Sequence, residues 1–148
     1  MKNYKFAFEK WGLILFFIIM VPNFIWIAIP APNDILRTES KTQVIDLIAT
    51  ISQVLFVAGC CCVINKKNTK IKLSPIIIAM ILCVVLYFIG WGLYYLGFVS
   101  DFIIVLLTLP PCLAFVFFTI DRKNVIALLP AIIFTCCHLI YGVVNFII

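Results

Sequence analysis

Five apolar blocks follow one another along this chain, each long enough to cross a lipid bilayer and separated by short polar breaks. They run from Trp11 to Ile29, Val44 to Ile64, Pro75 to Gly97, Phe102 to Ile120 and Val125 to Ile148. A helix rises about 1.5 Å per residue and the hydrocarbon layer is about 30 Å thick, so roughly 20 residues span it. The blocks predict an all-α, polytopic transmembrane bundle of five helices forming a single domain over residues 1–148, with no length left for a soluble domain.

Composition agrees. Of 148 residues, 66% are hydrophobic and 11% charged, against about 25% charged in soluble domains, too little polar material for a solvated shell. The net charge of +5 does not point to nucleic acid, because the cations sit in the breaks and near the N-terminus rather than on one patch. Their natural partners are lipid headgroups and water. Lys2, Lys5 and Lys10 ahead of an apolar stretch resemble a signal peptide. The stretch is longer than the usual 7–15 residues, and Ala28-Ile29-Pro30-Ala31-Pro32 offers no proline-free small-x-small cleavage pair. The first block is therefore expected to be a retained helix.

The basic residues set an expected orientation. Lys2, Lys5 and Lys10, then Lys66, Lys67, Lys70 and Lys72, then Arg122 and Lys123 all fall on one side; the opposite loops carry Arg37 and Lys41. Lys and Arg resist translocation, so the N-terminus is expected inside and the C-terminus outside, in the cytoplasmic membrane. Helix starts are legible too. Ser40 and Gln43 have capping-box spacing, Ser74-Pro75 pairs an N-cap with proline at the first helical position, and Ser100 and Asn124 are caps for the last two spans. Trp11 is placed at the inner interface, and Trp26, Trp91, Tyr94 and Tyr95 in an outer aromatic belt.

The seven cysteines lie within spans rather than in outer loops, with no Cys-x-x-Cys pair, and read as small apolar fillers. No metal or cofactor is expected. Each span also carries small or polar residues at helical spacing, clearest in the last: Ala127, Ala131, Thr135, His138, Gly142 and Asn145. Small residues let helices approach and polar ones avoid lipid, so these stripes are expected to face inward. Polar residues at depth form the candidate site: Asn23, Asp46, Gln53, Asp101, His138 and Asn145. Ionisable groups inside a span are costly and by default functional candidates. His138 titrates near neutral pH, with Asp46 a possible partner and Thr135 or Asn23 its hydrogen-bonding alternatives. Pro110-Pro111, midway along the fourth span, is a candidate kink.

Nothing marks a known enzyme. There is no Gly-x-Ser-x-Gly elbow, no phosphate-cradling glycine loop and, with one histidine, no His-Glu-x-x-His pair. Val21-Pro22-Asn23-Phe24, and the run from Pro110 to Phe134-Thr135-Cys136-Cys137-His138, resemble a group of small five-span bacterial integral membrane proteins of unknown function. The resemblance covers most of the chain and implies five spans, a Pro-Asn late in the first helix, a proline in the fourth and a Phe-x-x-x-His in the last. In that group the second helix tends to carry a basic residue where this chain has Gln53. No activity comes with it.

Two functional readings follow. The first is a non-enzymatic membrane component that assembles with or regulates other membrane proteins, or self-associates. The alternative is a small solute- or ion-binding or permeation protein, or a transporter subunit, using an outward-facing polar cluster. They differ in one observable: Asn23, Asp46, Gln53 and His138 line a water-accessible cavity in the second and pair in a closed core in the first. For the orientation itself, alkaline phosphatase fused after Ile148 should be active and a fluorescent protein fused there dark; the reverse pattern refutes an external C-terminus.

Overall fold

The computed structural model describes residues 3–67 and 72–148, which leaves Lys2 and Lys70 of the basic set outside the described residues. Five α-helices carry the fold: α1 (Lys10–Ala28), α2 (Gln43–Cys62), α3 (Pro75–Tyr95), α4 (Asp101–Asp121) and α5 (Val125–Phe146). At 19 to 22 residues each, they are roughly 28–33 Å long. All five are long and apolar enough to cross a membrane. A helix bonds its own backbone amides, as a span must where no water can do so.

One element departs from the all-helical expectation. Tyr4–Phe6 (β1) pairs antiparallel with Val63–Asn65 (β2), Tyr4 opposite Asn65 and Phe6 opposite Val63. The pairing continues through Ala7 N–H to the Cys62 carbonyl (3.1 Å) and Glu9 N–H to the Cys61 carbonyl (2.7 Å). The carbonyls ending α2 have no intrahelical donor; the segment ahead of α1 supplies two. Val63 and Ile64, read as the end of the second span, therefore belong to a strand.

Three predicted caps form as expected: the side chains of Ser74, Ser100 and Asn124 accept from the N–H groups of Ile77, Ile103 and Ala127. The Ser40–Gln43 box does not. Residue Thr42 is the N-cap of α2 and makes no side-chain cap bond; its hydroxyl donates to Asp46 Oδ1 instead (2.9 Å), while Ser40 Oγ accepts from Thr42 N–H (3.0 Å). Capping of α1 falls to Glu9, whose carboxylate accepts from Trp11 N–H. Gly97, read as the end of the third span, lies beyond α3 with φ of 88°, a backbone that glycine adopts without strain.

Helix α4 is the centre of the bundle, with 67% of its most apolar stretch buried against 22–33% in the other four. It packs between α3 and α5, α2 lies against α5, and α1 touches α2, α3 and α4 more sparsely. Small residues set the closest approaches. A Cβ on Gly59 would fall 2.9 Å from Ala127 Cβ, and one on Gly90 2.9 Å from Leu106 Cβ, so bulk at either position would push α2 from α5 or α3 from α4. The stripes face inward as expected: Ala127, Ala131, Thr135 and Gly142 are buried on α5, and Cys83, Tyr87, Gly90 and Tyr94 on α3. All seven cysteines are free thiols, four of them buried. Pro110 and Pro111 are both buried within α4, which runs unbroken through them.

The bundle end at the start of α1 is closed by polar contacts. Arg122, read from sequence as a loop cation, is buried, and its Nη2 donates to Glu9 Oε2 at 2.9 Å. Asn124 Nδ2 donates to the Gly59 and Val63 carbonyls (2.9 Å each), and Asn65 Nδ2 to the Lys123 carbonyl (2.9 Å). These bonds clamp the α4–α5 turn to the end of α2. Removing one partner of a buried ion pair typically costs roughly 3–5 kcal/mol, while replacing both is close to neutral. Glu9→Ala should therefore lower the thermal denaturation midpoint strongly in detergent, and Glu9→Ala with Arg122→Met should recover much of the loss.

Candidate functional site

At the opposite end, the connection from α1 to α2 folds onto the bundle around Asp34. Trp26 Nε1 donates to both Asp34 oxygens (3.0 and 2.9 Å), Tyr94 OH to Oδ1 (2.9 Å) and Arg37 Nε to Oδ2 (2.8 Å). Arg37 also donates to the Trp26 carbonyl (2.5 Å) and lies over the Trp26 ring at 5.0 Å. Burial pushes the Asp34 carboxyl upward, but hydrogen bonds from Trp26, Tyr94 and Arg37, with the Arg37 charge, outweigh it and hold the group below its usual range.

This arrangement corrects the aromatic belt. Tyr94 is fully buried and Trp91 nearly so; they pack edge to face at 5.8 Å, and Trp91 lies 6.3 Å from both Trp26 and Tyr87. Tyr94 turns inward because its hydroxyl donates to Asp34 and accepts from Leu36 N–H; Trp91 is held there by ring packing, its Nε1 having no hydrogen-bond partner among the described residues. Trp11 is exposed as expected.

Between the two ends lies a cavity of about 520 Å³. Beyond it, toward the Glu9 end, α1 meets α2 closely at Gly12, whose missing side chain admits the Cys60 carbonyl. Toward the Asp34 end Ile27 of α1 and Thr50 of α2 are exposed as well as lining it, and mark its mouth. The wall is mostly apolar and aromatic, with Phe16, Phe56, Phe115 and Phe134 at mid-depth. Polar groups stud it at a few points.

Four of the six predicted site residues line this cavity: Asn23, Asp46, Gln53 and His138. Two do not. Asn145 accepts from Lys41 N–H (2.6 Å) and donates to Thr42 Oγ1 (2.9 Å), pinning the start of α2 to the end of α5. Asp101 is exposed at the first turn of α4, where its charge lies near the positive end of the helix dipole. The expected bonds to His138 are also absent. Thr135 donates to the Ala131 carbonyl (2.7 Å) and Asn23 to Tyr87 OH (2.7 Å), and the Asp46 oxygen Oδ1 is taken by Thr42.

His138 is held by stacking, between Phe134 (5.0 Å, 16°) and Tyr141 (5.9 Å, 12°). Among the described residues neither its ring nitrogens nor the Gln53 amide has a hydrogen-bond partner in the protein. Both face the cavity. No group of three or more metal-ligating side chains is present among the described residues. Sequence reasoning missed Asp34, Glu9 and the ring cluster; the spacing of Asp34 and Arg37 three residues apart was the available signal for the first.

No protein-family model, curated protein or solved structure matches this chain.

A carboxyl whose folded value is depressed contributes stability above its unfolded value and loses it as pH falls through the folded one. Asp34→Asn should therefore lower the melting midpoint by a few degrees at pH 7. The gap to the parent protein should close as pH drops below the ordinary carboxylate range, and a gap constant down to pH 2 would exclude the ionised Asp34 as its source.

Proposed function

We propose that this is a multi-pass protein of a bacterial cytoplasmic membrane that binds a small molecule in the cavity between its helices, as a solute-binding or permeation protein or a transporter subunit. The observation that carries this reading is the pair of unpartnered polar groups. A polar group removed from water without a hydrogen bond costs free energy, and Gln53 and His138 stand mid-helix on the wall of a cavity large enough for water and ligand. In a closed assembly core these two side chains would bond to neighbours. The volume falls within the roughly 300–1,000 Å³ of small-molecule sites, and an apolar wall with a few placed polar groups is their usual chemistry. This favours the binding reading over the assembly component that the sequence suggested first.

Orientation follows from the cationic loops: the Glu9 end, flanked by Lys5, Lys10, Lys66, Lys67 and Lys123, faces the cytoplasm, and the Asp34 end faces outward. The burial of Arg122 removes it as a headgroup partner but not as a residue that resists translocation. The cavity mouth then lies in the outer half of the membrane. The resemblance to small five-span bacterial proteins supports the same placement.

Accessibility tests the reading directly. In a background with Cys62, Cys136 and Cys137 replaced by alanine, Gln53→Cys should react with a membrane-impermeant, charged methanethiosulfonate added outside intact cells. A Gln53→Cys protein that stays unlabelled while a loop cysteine at Ser40→Cys is labelled would mean a closed core.

A further inference from the structure

The cavity's charge and ring chemistry identify the kind of ligand it takes. We propose that the site binds an organic cation, with its charge at Asp46 and its apolar body between the aromatic walls. This deepens the binding reading and rests on it.

Charge is the first support. Among the described residues Asp46 is the sole carboxylate lining the cavity, and no lysine or arginine lines it. The cations of the nearby loop are directed elsewhere: Arg37 is engaged by Asp34 and the Trp26 carbonyl, and Lys41 is absent from the wall. One Asp46 oxygen accepts from Thr42 Oγ1, which fixes the carboxylate on the first turns of α2. Its second oxygen has no donor among the described residues. Near the mouth, this carboxylate has no lysine or arginine beside it on the cavity wall, and a cationic ligand supplies the counter-charge.

The rings are the second support. Along α5, Phe134, His138 and Tyr141 form a parallel stack, and Phe146 meets Tyr141 edge-on at 5.3 Å. All four line the cavity, as do Trp26 and Trp91. Aromatic faces attract cations through their quadrupole, most strongly when water is excluded. At this same edge of the bundle the Trp26 ring already carries a guanidinium on its face. Gln53, seven residues and so two turns from Asp46 on α2, stands on the same face and offers a neutral amide deeper in. The wall thus sets one carboxylate among aromatic faces that run from the mouth to mid-depth, a lining that suits an organic cation better than an anion or an uncharged lipid tail.

The test uses the full chain in zwitterionic-lipid nanodiscs, with empty nanodiscs as the blank. Tetraphenylphosphonium and its neutral relative triphenylphosphine oxide are titrated while quenching of tryptophan fluorescence is followed, since Trp26 and Trp91 line the site. Tetraphenylphosphonium should quench saturably and bind at least about tenfold tighter than the oxide. Asp46→Asn, which keeps an acceptor for Thr42, should weaken the cation about tenfold and leave the oxide unchanged. If both compounds bind equally and Asp46→Asn alters neither, the cation assignment falls while the cavity still receives ligands. If neither binds saturably, the binding reading falls with it. The comparison of the two compounds on the unaltered protein decides the matter even if the variant does not fold.

Discussion

In a hydrocarbon layer a polar group has no solvent to fall back on, so each one must be bonded within the protein or face a wet space. That constraint organises this molecule. It makes the five spans helical, and it sends hydroxyls of Thr108, Thr119 and Thr135 back to carbonyls three or four residues earlier on their own helices. It also decides where Asn23 and Asn124 go, the first to Tyr87 and the second to the end of α2. Against that background, Gln53, His138 and the Trp91 indole N–H stand out, because among the described residues none has a hydrogen-bond partner and all three residues line the cavity.

The polar contacts are concentrated at the two ends, and each end solves a different problem. At the Glu9 end a buried ion pair, a short strand pair and two asparagines lock the chain before α1 to the α4–α5 turn. At the Asp34 end one carboxylate gathers an indole, a phenol and a guanidinium, which fastens the α1–α2 connection to α3. Helix α1, sparsely packed along its length, is thus tied at both ends by contacts from outside its own apolar face.

The helices were legible in the sequence because block length and hydrophobicity alone determine a span, and the inward stripes because small residues at intervals of three and four leave one face for close approach. Depth ordering was legible in part: of the six polar positions grouped by it, Asn23, Asp46, Gln53 and His138 line one cavity, and Asp101 and Asn145 do not. Pairing was not. Whether Tyr94 turns to lipid or to the core depends on Asp34, in a loop whose fold no periodicity reports. Arg122 looked like a headgroup cation because its partner, Glu9, lies 113 residues away and in an unremarkable position ahead of α1. Strand β2 was hidden because Val63 and Ile64 suit a helix end in lipid as well as a strand; the choice is made by the unpaired carbonyls of α2 and the strand that meets them. Asp101 shows the opposite error, a residue grouped by depth whose helix end points it away from the others.

The lining of the cavity bears on what suits it. Water suits the Gln53 and His138 ends of the wall but not the rings of Phe16, Phe56, Phe115 and Phe134 between them. An occupant with an apolar body and polar points would satisfy both at once, and that dual requirement, rather than any motif, is what the proposed binding function rests on.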